Sequence, residues 1–304
     1  VPIAAKKKKQ TPKGESFDPV AVVSGHVPRD DALAIPPPRL AFRDDKAGIF
    51  LYQGDCLSLL DRFLDRHPDG IFDAIFADPP YFLSNGGITC HAGRMVKVDK
   101  GGWDKSRGAE LNHEFNTEWL RRCQHALKPN GTIWITGTQH VIFSVGFALQ
   151  QLGFKLLNTI TWEKPNPPPN LSCRYFTHST ETVLWAAKCA ASKHLFHYAE
   201  MRAANGGRQM KSVWRMTAPA FGEKRHGKHP TQKPLALLER CLLASTNPGD
   251  LVLDPFSGSG TTAAACTRLG RRCVGIELDP AYIETARKRV MDELNESGFR
   301  FSKP

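Results

Sequence analysis

The sequence lacks any apolar run approaching the ~18 residues that a membrane-spanning helix needs. Its first residues, Val1-Pro2-Ile3-Ala4-Ala5 and then lysines from Lys6 to Lys9, lack the apolar block of a secretory signal, so a soluble, cytoplasmic protein is the expectation. No two of the eight cysteines are spaced as C-x-x-C, which leaves a structural zinc site without support. Cys241 and Cys266 stand in apolar runs and read as small core residues of a reduced protein. His91, His113, His125 and His140 lack ligand spacing, and there is no internal repeat. Acidic residues are scarce: 30 Asp and Glu stand against 41 Lys and Arg, a net charge of +11. That excess argues for a polyanionic partner or a negative membrane surface.

What is present is ordinary globular material, 41% hydrophobic and 23% charged over 304 residues, enough for one large α/β domain with a modest insertion. Residues 1–40 hold the lysine run, scattered Gly, Pro and Ser, and Pro36-Pro37-Pro38; they read as a basic, flexible tail. Seven short apolar runs then read as strands: Ile49–Tyr52, Ala74–Ala77, Thr132–Thr136, Leu156–Trp162, Thr182–Ala186, Leu251–Leu253 and Cys273–Ile276. Helical patterns alternate with them at Cys56–Leu64, Asn116–Leu127, Val141–Leu152, Pro234–Ala244, Thr261–Leu269 and Pro280–Leu294. Leu57, Leu60 and Leu64 mark the apolar face of the first, and Pro234 and Pro280 suit first turns. The alternation, closed by a hairpin-like pair of strands, predicts an α/β fold with a doubly wound, mostly parallel sheet.

Residues 189–228 break the alternation. They carry Lys193, Arg202, Arg208, Lys211, Arg215, Lys224, Arg225 and Lys228 against only Glu200 and Glu223, with Phe196, Tyr198, Trp214 and Phe221 interleaved. The segment reads as an insertion on the sheet, built to touch something anionic.

Two constellations carry chemistry. Asp254-Pro255-Phe256-Ser257-Gly258-Ser259-Gly260-Thr261-Thr262 follows a buried strand and opens a helix, so backbone N–H groups can approach a ligand closely. Glu277 ends the next strand about 20 residues on, where an acid can accept hydrogen bonds from ribose hydroxyls. No Lys follows the glycines, so this is not a nucleoside-triphosphate loop. In Asp78-Pro79-Pro80-Tyr81 the prolines stiffen the loop and remove N–H donors, leaving the Asp78 carboxylate and the Pro79 carbonyl as acceptors beside a flat ring. Acceptors at fixed angles suit a planar base with an exocyclic amine, which they would hold in its attacking form.

Together these residues resemble the amino-methyltransferases of DNA that use S-adenosylmethionine. Asp-Pro-Pro-Tyr precedes the glycine turn, with the basic insertion between, as in the permuted β group, and the chain looks nearest to the RsrI-type adenine methyltransferases of restriction-modification systems. Gly54-Asp55-Cys56, Leu127-Lys128-Pro129-Asn130-Gly131, Trp162-Glu163-Lys164-Pro165-Asn166-Pro167 and His229-Pro230-Thr231-Gln232-Lys233-Pro234 extend the resemblance over about Gly48 to Val290. It implies a seven-stranded, Rossmann-like methyltransferase sheet in permuted order. Residues 41–188 would form its catalytic half, 189–228 a target-recognition insertion and 229–304 its cofactor-binding half. It implies that Asp78, Pro79, Pro80 and Tyr81 are catalytic. Asp55, Cys56, Asp78, Thr231, Lys233, Asp254, Pro255, Phe256, Ser257, Gly258, Ser259, Gly260, Thr261, Thr262, Glu277 and Leu278 would hold the cofactor, with Tyr81 stacking on a base flipped out of the duplex. Arg202, Arg208, Lys211, Arg215, Lys224 and Arg225 would meet double-stranded DNA. The implied setting is a bacterial cytosol, at the nucleoid through DNA, with no membrane and no metal; a homodimer stays open. The implied product is N6-methyladenine. Cytosine N4 is the alternative, and Asp78 leans against it because that group more often shows Ser there. No Pro-Cys nucleophile for carbon-5 methylation occurs.

Overall fold

A computed structural model describes residues 37–84, 88–91, 94–97, 104–227 and 229–301, without side chains at 88–91, 94–97 and 297–301. The basic tail up to residue 36, Gly101-Gly102-Trp103 and Lys228 lie outside the described residues. In chain order the elements are β1 (Arg39–Asp44), β2 (Ile49–Gln53), α1 (Cys56–Arg66), β3 (Phe72–Ala77), β4 (Ile88–His91), β5 (Arg94–Lys97), α2 (Ala109–Ala126), β6 (Leu127–Gly137), α3 (Ile142–Gln151), β7 (Lys155–Glu163), β8 (Thr180–Ala187), α4 (Tyr198–Ala204), β9 (Val213–Arg215), α5 (Leu235–Ser245), β10 (Leu251–Asp254), α6 (Thr261–Leu269), β11 (Arg272–Glu277) and α7 (Pro280–Phe301).

The seven expected strands stand side by side as β2-β11-β10-β3-β6-β8-β7. The neighbours from β2 to β6 are parallel, and β8 alone of the seven runs against the rest. The sheet is wider than the sequence reading, because β1 adds antiparallel to β2 and β9 adds parallel to β7, giving nine strands; β4 and β5 form a separate hairpin. Both extra edge strands lack a continuous apolar run: β1 is Arg-Leu-Ala-Phe-Arg-Asp and β9 only Val-Trp-Arg. Inner strands such as β2 and β10 are buried along their whole length, as strands covered on both faces must be.

Helices α1, α2 and α3 cover one face through Leu59, Leu60, Phe63, Trp119, Leu120, Val145 and Leu149. Helices α4 to α7 cover the other through Met201, Leu237, Leu238, Cys241, Cys266, Ile283 and Val290. The buried face of α1 differs from the expected one: Leu57 and Leu64 are only partly buried, while Leu59 and Phe63 are fully so. Phe63 wins the inner position because its ring meets Tyr52 and Phe72 edge-on, at 5.8 and 5.5 Å. α2 begins seven residues before the expected Asn116, and Pro234 caps α5 from outside rather than sitting in its first turn.

Residues 189–228 are less irregular than their sequence. α4 is fastened where His197 N–H donates to Ala244 O at 2.9 Å, and β9 pairs with β7. Trp214, read as an interface aromatic, is buried against Trp134 with ring centroids 6.1 Å apart. No helix among the described residues is long and apolar enough to cross a membrane.

Candidate active site

β10 and β3 are neighbours, yet β10 continues through α6 to β11 on one side while β3 continues through α2 to β6 on the other. The connections part at the carboxyl ends of these two strands, which is where an open α/β sheet forms a binding crevice. Asp78 follows β3 and the glycine turn follows β10, so both sequence constellations emerge at this one place.

A cavity of about 510 Å³ fills the crevice. It is lined by Gly54, Asp55 and Cys56 after β2, Asp78 after β3, His229 and Thr231 before α5, Pro255, Phe256 and Gly258 after β10, and Glu277, Leu278 and Asp279 at the end of β11. Asp55 caps α1, accepting from Ser58 N–H at 2.9 Å. Glu277 accepts Gly258 N–H on one oxygen and Asp279 N–H on the other, both at 2.8 Å, and so ties the glycine turn to the end of β11. Burial pushes its carboxyl up to about 6, against the pull of those backbone donors. Burial drives His229 down to about 4, so its imidazole is neutral at pH 7. Among the described residues, four carboxylates, Asp55, Asp78, Glu277 and Asp279, line this cavity and no Lys or Arg does, which disfavours a phosphate ligand and suits a cationic one.

The glycine turn needs its glycines. Gly260 has φ +77°, and a Cβ there would fall 2.7 Å from Ala286 Cβ, so α6 can approach α7 only without a side chain. Gly258 has φ +49°, and a Cβ would press on the His229 ring at 3.0 Å. The polar residues of the turn divide. Asp254 accepts Phe256 N–H and the Thr262 hydroxyl, and Thr261 accepts from Arg289, so these three brace the turn from behind. They line, with Lys233, Ser257 and Ser259, a smaller adjoining space of about 30 Å³ rather than the main cavity. Gly260 lines neither. The hydroxyls of Ser257 and Ser259 are buried without a hydrogen-bond partner among the described residues.

His229 and Thr231 are shared by this cavity and a second, of about 250 Å³, lined also by Tyr81, Trp162, Lys164, Glu181 and Lys233 among others; Asp78 lines the first and is hydrogen-bonded to Tyr81 and Lys233 on the wall of the second. One oxygen of Asp78 accepts from the Tyr81 hydroxyl at 2.8 Å and from Thr136 at 2.6 Å; the other accepts from Lys233 Nζ at 2.6 Å. Glu181 pairs with Lys164, lies 3.9 Å from Lys233 Nζ and has an oxygen 3.3 Å from the Tyr81 hydroxyl. Burial pushes Glu181 up, but Lys233 and Lys164 overcome it and hold the carboxyl below the usual range. Burial and the charges of Asp78 and Glu181 push the Tyr81 phenol well above its usual range, so it stays a donor. Tyr81 is 4% exposed with Lys233 Nζ 5.1 Å from its ring centroid, a less open face than a stacking platform requires.

The loop after Asp78 is held from below. Phe82 takes a left-handed φ of 58°, costly for a residue with a side chain. Asp104, fully buried, accepts Tyr81 N–H at 2.9 Å on one oxygen and Leu83 N–H at 3.1 Å and the Ser84 hydroxyl at 2.9 Å on the other, bracketing that residue.

Of the residues expected at the cofactor, Asp55, Cys56, Asp78, Thr231, Pro255, Phe256, Gly258, Glu277 and Leu278 line the main cavity. Sequence reasoning assigned Lys233 to the cofactor, whereas its ammonium grips Asp78. It gave no role to Glu181, Lys164 or Thr136, and it took Asp104 only as part of the loop Gly101-Gly102-Trp103-Asp104, either a closure over the base or DNA or a simple turn. A carboxylate inside a strand was the available signal for Glu181, which sits opposite Trp162 in the β7/β8 ladder. The basic residues of 189–228 also divide. Arg215 ends β9 on the catalytic edge, its Nε 3.7 Å from Glu163 Oε1, and Lys224 lines the second cavity. Arg202 lies on α4, whose start is pinned to Ala244 and Thr246 at the far end of α5, and its guanidinium donates to Gly207 O. Arg208 and Lys211 are exposed. Arg225 is turned to α7, 2.8 Å from Glu296 and 3.6 Å from Asp292.

A glycine turn and an Asp-Pro-Pro-Tyr loop meeting at the switch point of a doubly wound sheet define a nucleoside-cofactor methyltransferase. Residues 72–288 match the DNA methylase family, to which this chain belongs. It is 56% identical over 233 residues to the type II methyltransferase M2.DpnII of Streptococcus pneumoniae, covering 76% of this chain and 87% of the relative. It is 49% identical over 248 residues to M2.MboI of Moraxella bovis, covering 82% and 89%. The crystal structure of the complex of M1.HpyAVI with S-adenosylmethionine is 30% identical, superposes with a TM-score of 0.60 and covers 80% of this chain and 98% of that one. The protein is thus an S-adenosylmethionine-dependent DNA methyltransferase.

Proposed function

We propose that the enzyme methylates N6 of an adenine swung out of duplex DNA, as the modification partner of a restriction system. The observation that carries this reading is the position of Asp78, which lines an anionic cavity fit for the cofactor and is hydrogen-bonded to Tyr81 and Lys233, two residues lining a second cavity that can admit a base. The cofactor fits the first cavity chemically: carboxylates there would meet its cationic centres, Glu277 would accept the ribose hydroxyls, and the Ser257 and Ser259 hydroxyls, unpartnered among the described residues, adjoin. Bound, it supplies an electrophilic methyl group on a sulfonium, so no metal is needed to activate the transfer. Asp55 and Cys56 would border its adenine, and Phe256, set edge-on against Trp119 at 5.3 Å, its apolar side.

The chain's own residues do the rest. Asp78 and the Pro79 carbonyl accept the two amine hydrogens, which turns the nitrogen lone pair toward the cofactor cavity and stabilises charge as it develops on nitrogen. Tyr81, Thr136 and Lys233 fix the carboxylate through three hydrogen bonds. Asp104 holds the loop that carries Pro79, Pro80 and Tyr81. Arg215 and Lys224 neutralise phosphates beside the second cavity; Arg202, Arg208 and Lys211, set further from it, add non-specific affinity. Digestion of plasmid DNA methylated with labelled cofactor tests the target: the label should run with N6-methyladenine, and label in N4-methylcytosine would overturn adenine.

A further inference from the structure

The connection between β7 and β8, residues 164–179, leaves from the carboxyl end of β7, the edge of the sheet that also carries Asp78. Its base is pinned where Lys164 N–H donates to Ser179 O at 2.8 Å. Pro165, Pro167, Pro168 and Pro169 stiffen the outgoing half. On the returning half Asn170 folds the chain back, accepting Ser172 N–H at 3.0 Å and donating its amide to Tyr175 O. The turn so built presents Phe176, 96% exposed, and Tyr175, 61% exposed. A phenyl ring kept in water forgoes the burial that a core phenylalanine gains, and so stable a presentation asks for an occupant.

The surroundings say which occupant. Residues 164–180 contain no Asp or Glu, and Arg174 and His178 flank the two rings. The rings border a groove of about 560 Å³ between Gln139–His140 and Tyr175–Thr180. Thr138 and Glu181, the next residue on each of those segments, line the cavity beside Tyr81. The rings therefore stand at the mouth of the cavity that is to receive the base. A base that leaves a duplex opens a gap one step high between stacked, apolar faces inside a polyanion. One or two rings beside Arg174, on a segment free of acids, match that gap, whereas a protein partner would need a broader apolar patch.

We infer that Phe176, backed by Tyr175, is the wedge that enters the DNA stack as the target base departs. The inference rests on the base-flipping reading above and adds a residue to it that touches neither cofactor nor reacting atoms. The wedge replaces lost stacking, so it matters for duplex DNA and not for single strands, which have no stack to hold open.

The test uses the full chain with tritiated S-adenosylmethionine and plasmid DNA, either as duplex or heat-denatured. Phe176→Ala should lower kcat/KM on duplex by about tenfold or more. It should change the rate on denatured DNA by less than about twofold, and Phe176→Trp should restore the duplex rate. An unchanged duplex rate, an equal loss on both forms of DNA, or a Trp variant no better than Ala would each overturn the wedge. If the native protein is inactive on single strands, the comparison of Ala with Trp on duplex decides. Native protein that methylates neither DNA would instead count against the reading on which the wedge rests.

Discussion

Lys233 Nζ lies 2.6 Å from Asp78 Oδ2, although 155 positions separate the two residues in the chain. Both are largely buried, with side-chain exposures of 6% and 14%. A charge so placed is stabilised by its partner and costly without it. Lys233→Met should therefore cost roughly 3–5 kcal/mol of stability, the range for breaking a buried pair. Adding Asp78→Asn should recover much of that loss, because the neutral amide needs no counter-ion. Urea denaturation of both single variants and the double variant measures the coupling, and strictly additive losses would mean that the pair is not one energetic unit.

If Glu277 accepts the ribose hydroxyls as proposed, it should govern the pH dependence of cofactor binding. Burial raises its carboxyl to about 6, and ribose hydroxyls donate to the ionised form. Below that pH the free protein holds a proton that must leave before the cofactor is bound. The dissociation constant should hence be flat above about pH 6 and rise toward roughly tenfold per unit below it. Glu277→Gln should flatten the profile, and Glu277→Ala should weaken binding by roughly 1.5–3 kcal/mol at pH 8. Calorimetric titrations between pH 5 and pH 8 read both effects; a native profile without a break would place the ribose elsewhere.

Asp104 supports the catalytic loop without reaching the cofactor. Asp104→Ala removes the acceptor for Tyr81 N–H, Leu83 N–H and the Ser84 hydroxyl, each worth roughly 1.5–3 kcal/mol to a charged group, though not additively. Turnover should fall by about tenfold to a hundredfold while the cofactor dissociation constant stays within about twofold. Parallel loss of cofactor affinity would point to collapse of the crevice instead.

The two groups of basic residues should behave differently. Arg215→Glu and Lys224→Glu, at the catalytic edge, should weaken DNA binding more than Arg202→Glu on α4. Each lost phosphate contact should flatten the slope of log affinity against log salt by about 0.9. Arg225→Glu should act on stability instead, by repelling Glu296 and Asp292 on α7. Filter binding across salt concentrations, together with thermal melts, separates the two classes; equal effects on DNA from Arg202 and Arg215 would restore a single patch.

Much of the fold was legible because its inner strands are apolar on both faces and its helices are amphipathic, patterns that survive without knowledge of neighbours. The edge strands β1 and β9 were not, since Arg39, Arg43 and Arg215 interrupt their patterns and only pairing defines them. The glycine turn and Asp-Pro-Pro-Tyr were legible because their chemistry is local: strained turns need glycine, and rigid acceptors need proline. Glu181 and Lys164 were not, because their meaning comes from β7 lying against β8, which brings both beside Tyr81. Trp214 misled for the same reason, being an aromatic among charges that a neighbouring Trp134 draws into the core.

The account turns on Asp78 holding the target amine, and the turnover of Asp78→Ala on duplex DNA at saturating S-adenosylmethionine tests that most directly. Quench-flow measurement of methyl transfer should show a loss of about 10²–10⁴-fold, the range for removing one positioned catalytic group. Equilibrium binding of DNA and cofactor by the same variant should stay close to native, because phosphate contacts and Glu277 lie elsewhere. Methyl transfer within about threefold of native by the Asp78→Ala enzyme would contradict the account.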